Sequence, residues 1–207
     1  IIAFNEAQKI AAAVNSVLWA DEIIVADSGS TDGMVEIAES LGARVVQVPF
    51  KGFGDLRNNA IAACTHDWIF SLDADERCTP EARDEILRVI ADPASLDMYW
   101  MPRRNFFMGR WIKHSGWYPN YRQPQLFRKG KMSYTMEPVH EGYVPHSERP
   151  VGHLQNPIWQ PRGFDYVDPK KDVETDILQL QYRLKTPSQI ALERGEDRAR
   201  GRESIPA

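Results

Sequence analysis

Four short apolar runs rich in β-branched residues, at 1–4, 22–27, 43–48 and 67–72, are each followed by a stretch whose apolar positions recur at helical intervals. Residues 7–18 set Ile10, Val14, Val17 and Leu18 on one face, and 32–41 do the same with Val35, Ala38 and Leu41. Helices over 54–64 and 80–91 complete the series; Thr79 caps the last and Pro80 opens it, where a missing N–H costs nothing. A strand that returns through a helix to the next strand makes a parallel crossover. The order βαβαβα therefore predicts an α/β, Rossmann-like fold with a mostly parallel central sheet and helices on both faces.

Beyond Pro93 the rhythm changes to short strand-like pieces rich in aromatics, at 98–101, 125–129 and 132–136, with Lys129-Gly130-Lys131 read as a hairpin turn between the last two. A helix is expected over 172–185, where Val173, Ile177, Leu180 and Leu184 share a face, and the charged stretch from Glu193 is expected to fray. A chain of 207 residues with 43% hydrophobic content can bury one sizeable core. We expect one α/β domain, with halves at 1–97 and 98–160, and a C-terminal helical appendage at 161–207. The longest apolar run, at 10–14, is far shorter than the roughly 18 residues that cross a bilayer. Cys64 and Cys78 lack metal or redox spacing and no secretory leader is visible, which predicts a cytoplasmic setting. Because Ile1 stands inside a strand-like run, the natural protein is expected to begin several residues earlier.

The net charge of -4 hides an asymmetry: residues 1–97 carry 17 acidic and 7 basic side chains, whereas 98–136 carry 8 basic and no acidic ones. Two surfaces with different partners are expected. Polar residues, meanwhile, gather where the strands end: Asn5-Glu6 after the first, Asp27-Ser28-Gly29-Ser30 after the second, Asp73-Ala74-Asp75-Glu76 after the fourth. In an open α/β sheet that edge is where ligands bind. Asp73-Ala74-Asp75 is a D-x-D sequence, which with 15 aspartates is expected about once by chance, so its position carries the argument. Carboxylates crowded at a strand end repel one another, and a hard divalent ion, Mg2+ or Mn2+, would relieve that repulsion while attracting a diphosphate. No glycine-rich phosphate loop offers an alternative.

Four ordered segments, IIAFNE, VADSGSTDG, LRNNAI and WIFSLDADE, make residues 1–92 resemble the nucleotide-binding half of the family 2 glycosyltransferases. With the later VHE, they are similar in finer detail to bacterial lipopolysaccharide core β-1,4-glucosyltransferases. The resemblance implies a GT-A nucleotide-sugar transferase fold and a metal-dependent, inverting transfer of a sugar, glucose by preference. The donor would be a UDP-sugar and the acceptor a saccharide or lipid-linked glycan. It also implies a nucleotide pocket lined by Phe4, Asn5 and Glu6, with Asp27 accepting a hydrogen bond from uracil beside Ser28. Arg57 would lie beside the donor, Asp73 near the ribose with Ala74 next to it, and Asp75 would be the principal metal ligand.

The same resemblance makes Glu141 the candidate base for the acceptor hydroxyl, with His140 as the alternative or as a metal or phosphate contact. Two departures stand out. Family members commonly have Arg-Leu-Phe where this chain has Gln125-Leu126-Phe127, a role Arg122 or Arg128 could take. They often carry a His near Gln160, for which no substitute is evident. The aromatic-basic stretch 98–136 is expected to face an anionic membrane or membrane-borne acceptor through Arg103, Arg104, Arg110, Lys113 and Trp117, placing the protein peripherally on the inner face of the cytoplasmic membrane. Nucleic acid is not an expected partner. The rival functions are a metal-dependent nucleotidyltransferase, which would carry a Gly- and Lys/Arg-rich loop where Asn5-Glu6 stands, and a nucleotide-sugar-binding protein without full activity.

Overall fold

The computed structural model describes residues 1–160 apart from 108–109, 115, 117, 120, 122, 138–140 and the Phe107 side chain; residues 161–207, with their expected helix, lie outside the described set. β1 (Ile2–Ala3), α1 (Ala7–Asn15), β2 (Ile24–Asp27), α2 (Met34–Ser40), β3 (Arg44–Gln47), α3 (Phe53–Ala63) and β4 (Trp68–Phe70) follow the expected alternation. β2 lies between β1 and β3, parallel to both, and a parallel bridge from Ile2 to Asp73 carries the sheet on to the segment just past β4.

β2 is buried along its whole length because both faces are covered, as a central parallel strand requires. Its successive side chains point to opposite faces. Val25 packs with Ile10, Val14, Met34 and Ala38 from α1 and α2, while Ala26 packs with Leu56 and Ala60 from α3. β5 (Arg77–Cys78) and α4 (Pro80–Ala91) follow, and the Thr79 hydroxyl accepts from the Ala82 N–H at 3.1 Å as the capping pattern predicts.

After α4 the described chain is built of strands: β6 (Met98–Trp100), β7 (Arg103–Phe107), β8 (Arg110–Trp111), β9 (Pro124–Arg128), β10 (Met132–Tyr134), β11 (Tyr143–Pro145), β12 (Gly152–His153) and β13 (Ile158–Gln160). β9 runs antiparallel between β4 and β6, so the second half of the domain completes the sheet begun by the first. β13 joins a further sheet, parallel to β7 and antiparallel to β5.

The hairpin expected around Lys129-Gly130-Lys131 is corrected by this topology. The turn exists, with Gly130 at φ 80 and the Lys131 N–H donating to the Arg128 carbonyl at 3.0 Å. Its flanking strands nevertheless part, because both edges of β9 are already paired; β10 pairs with β11 instead. α3 then approaches the end of β10 closely enough that a Cβ on Gly54 would lie 1.8 Å from the Thr135 carbonyl oxygen. Asn58 fastens the same segment, its amide donating to the Tyr134 carbonyl and accepting from the Tyr134 N–H, both at 2.9 Å. Among the described residues, no helix is long and apolar enough to cross a membrane.

Candidate active site

The loops that leave β1 and β2 are laced together at the sheet edge. Asn5 takes a left-handed backbone, φ 52, uncommon for a residue with a side chain. It is held there by the Ser30 hydroxyl, which accepts from its N–H at 2.8 Å, and by the Thr31 N–H, which donates to its side chain at 2.9 Å. Asp27 is fully buried and organises the neighbouring loop: it accepts from the N–H groups of Gly29 and Ser30, the Ser30 hydroxyl at 2.5 Å and the Gln47 amide at 2.9 Å. The Ser28 hydroxyl is buried without a hydrogen-bond partner among the described residues. Phe4 is 56% exposed beside this edge, and Glu6 pairs with Lys9 at 3.0 Å.

The acids after β4 are sorted by arginines from elsewhere in the chain. Arg57, on α3, is buried and reaches Asp73 at 2.8 Å and Glu141 at 3.0 Å, with the Tyr134 ring beneath it. It is thus no helix-surface residue. Glu76 is wholly buried against Arg103 at 2.6 Å, and it accepts from the Asp73 N–H at 3.0 Å and the Gln125 amide at 3.4 Å. Burial, followed by the nearby Asp73 charge, pushes the Glu76 carboxyl up to about 7, with Arg103 opposing the shift. Burial acts on Asp73 in the same direction, but Arg57 and then Arg103 outweigh it and hold that carboxyl below the usual range.

Three sequence expectations are corrected here. Arg103 belongs to no outer face; being 4% exposed and paired with Glu76, it is withdrawn from any membrane. Arg103 and the Gln125 amide both reach Glu76, whereas Arg128, offered in place of the family's arginine, stacks on Trp68 at 4.5 Å and Arg122 lies outside the described residues. Ala74 turns its methyl group into the core with Ile10 and Val14 rather than toward a ligand. Arg104 and Lys113, by contrast, flank the Trp111 ring at 4.8 and 4.4 Å, with Arg110 exposed nearby in sequence. His140 and Trp117 lie outside the described residues.

Asp75 is the acid that no arginine claims among the described contacts. Its partner is Gln160, whose amide Nε2 donates to Asp75 Oδ2 at 2.9 Å. β13 explains this meeting: Ile158 and Trp159 pair with Cys78 and Arg77 of β5, so the next residue arrives beside the turn that holds Asp75. Among the described residues, no group of three or more His, Cys, Asp or Glu is gathered as a metal cage. A hard ion held by one carboxylate and completed by substrate phosphates needs no such cage, and Asp75, whose Oδ2 is taken by the Gln160 amide, keeps Oδ1 for that role among the described contacts.

Residues 1–143 match the family model described as Glycosyl transferase family 2. The chain belongs to that family. Among family relatives it is 30% identical over 155 residues to the lipopolysaccharide core biosynthesis glycosyltransferase LpsC of Rhizobium meliloti, a match covering 70% of this chain and 56% of LpsC. It is 48% identical over 92 residues to an uncharacterized glycosyltransferase of Rickettsia felis, covering 44% of this chain and 32% of that protein. The chain thus spans about a third of the length of such Rickettsia relatives. The structure of S. aureus TarS residues 1–349 in complex with UDP-GlcNAc shares its fold, at TM-score 0.56 and 19% identity over 84% of this chain and 62% of that one. The chain therefore has the GT-A architecture of family 2.

Within that family frame, sequence reasoning missed Glu76, Tyr134 and Asn58 as site-building residues and misplaced Arg103. One signal was available. Glu76 follows the D-x-D sequence directly, and a carboxylate in that place needs a cation unless it faces water. Nothing local says that the cation lies 27 residues on, two strands away from β5 in the same sheet.

Proposed function

We propose that this chain carries the catalytic domain of an inverting glycosyltransferase that moves a hexose, glucose by preference, from a UDP-sugar to a saccharide or lipid-linked acceptor in lipopolysaccharide core or cell-surface glycan synthesis. The observation that carries the reading is the sorting of acids at the sheet edge. Asp73 and Glu76 are neutralised by arginines, Asp75 is left beside an amide, and Glu141 is brought back across 84 residues to the same arginine that holds Asp73. The LpsC name and the UDP-GlcNAc bound by TarS support the class of reaction and of donor.

Phe4 and the Ser28 hydroxyl face the nucleotide in this reading, and Asn5 and Asp27 hold the loops that receive it. Asp75 would hold Mg2+ or Mn2+, which would supply charge neutralisation for a departing diphosphate. Glu141 takes the proton of the acceptor hydroxyl as its oxygen attacks the anomeric carbon; the bond to the diphosphate breaks on the opposite face, UDP leaves and the configuration inverts. Arg57 orients Glu141 and Asp73 rather than binding the donor directly. Arg104, Arg110 and Lys113 around Trp111 form the basic-aromatic side offered to an anionic membrane or acceptor.

The test is release of UDP from a panel of UDP-sugars, with and without Mn2+ and a core-oligosaccharide acceptor, alongside thermal shifts. Metal-dependent release that rises with acceptor is expected. Stabilisation by UDP-sugars without turnover under any condition would support the nucleotide-sugar-binding alternative instead.

A further inference from the structure

The sheet that contains β13 has two unlike faces. Ile158 and Gln160 of β13 are buried on one, with Arg103 and Asn105 of β7, whereas Trp159 is 43% exposed on the other, because successive side chains of a strand alternate. Register sets Trp159 beside Arg104, and Phe106 opposite Trp111 of β8. The Ile112 N–H donates to the Asn105 carbonyl at 3.0 Å, so the ladder runs on past β8 and brings Lys113 opposite Arg104. One row across the outer face therefore reads Trp159, Arg104, Lys113. Trp159 meets Phe106 with ring centroids 5.5 Å apart, and the Trp111 ring lies 4.8 Å from Arg104 and 4.4 Å from Lys113.

Opposite charges at facing positions of a ladder stabilise it, and like charges there repel. No acid answers this pair: residues 98–136 contain neither Asp nor Glu, and neither cation has a carboxylate partner among the described residues. Arg104 Nε and Trp111 Nε1 are in addition buried donors with no acceptor among the described residues. We infer that this row is a subsite for a phosphorylated saccharide, with the sugar ring on the Trp159 indole and its phosphate between Arg104 and Lys113. The inference deepens the reading of the basic-aromatic side given above and rests on it. A phosphate removes the repulsion between the two cations, the arginine fork matching its oxygens and the lysine adding a point charge. The indole beside them offers a flat apolar area that a pyranose face covers, a feature that attraction to a bilayer surface does not need. Gln160, the next residue, points through the strand to Asp75 at 2.9 Å, so the subsite and the donor edge lie on opposite faces of β13. The phosphorylated residue held here is thus a part of the acceptor other than the sugar that is glycosylated.

The experiment titrates the whole chain, by calorimetry, with a phosphorylated core oligosaccharide, with the same oligosaccharide after phosphatase treatment, and with inorganic phosphate. The phosphorylated form should bind about tenfold or more tightly than the treated one, and inorganic phosphate should compete with it. Arg104→Gln combined with Lys113→Gln should erase the difference between the two forms, and Lys113→Gln alone, a change on an exposed side chain, should narrow it. Trp159→Ala should weaken both forms about fivefold while cosedimentation with anionic vesicles stays at the parental level. UDP binding in every variant should match the parent, which shows that the donor side is folded. Equal affinity of the parent for the two forms, or binding of neither, overturns the inference while the donor-side reading, tested by UDP release, stands. Parental binding of both forms by Trp159→Ala overturns it as well, and so does a loss of vesicle binding in that variant, since the row then meets a bilayer. Selective binding of the phosphorylated form without UDP release under any condition keeps the subsite and removes the transferase reading instead.

Discussion

The sheet edge built by residues 1–97 and the strand-rich half that follows it carry opposite charge and spend it differently. At the edge, two of the three acids after β4 are consumed internally, Asp73 by Arg57 and Glu76 by Arg103. In the second half, the two-residue period of β7 divides adjacent cations: Arg103 points inward to Glu76, while Arg104 lies against Trp111. The charge blocks of the sequence are thus not simply two faces for two partners. Part of the basic block exists to neutralise part of the acidic one, leaving Asp75 on one side and a smaller basic-aromatic patch on the other.

That contrast between committed and uncommitted charge can be broken at four points, in descending order of effect. Asp75→Ala should abolish transfer and metal-dependent stabilisation by UDP. It should cost folding only about 1–2 kcal/mol, because the buried Gln160 amide loses its acceptor while no packed group is removed; a urea melt and a transfer assay on one preparation check both halves. Arg103→Met should do the reverse, costing about 3–5 kcal/mol because Glu76 is left buried and unpaired. Adding Glu76→Gln should recover part of that loss in denaturant titrations, and a fully additive double variant would mean that the pair is not coupled.

Glu141→Gln should lower turnover about a hundredfold, equivalent to about 2.7 kcal/mol of barrier, with donor affinity unchanged. If His140→Ala gives that pattern and Glu141→Gln does not, the base is His140. The smallest effect belongs to the outer patch. Changing Arg104, Arg110 and Lys113 together to Gln should reduce cosedimentation with anionic vesicles in a salt-sensitive way, at about 1 kcal/mol per residue at most, without touching UDP binding. Adding Arg103 to that set should weaken the fold rather than the membrane contact, which sharpens the division within β7.

The strand and helix order through β4, the helix α4 with its cap at Thr79 and the gathering of polar residues at the strand ends were legible in the sequence, because each depends on local periodicity or on a side chain bonding a few residues away, whereas the short β5 was not. The family resemblance was legible for the same reason, its motifs being short and ordered along the chain. The hairpin around Gly130 misled, since a turn reads locally while strand pairing depends on which edges are already occupied. Likewise Asp73, Asp75 and Glu76 look equivalent as letters. Only the tertiary structure, by bringing Arg57, Arg103 and Gln160 to them from distant elements, decided which acids are neutralised and which is left beside a neutral amide. The physical reason is that a charge's role is set by its neighbours in space, and pairings across 16 (from 57 to 73) to 85 residues leave no trace in local pattern.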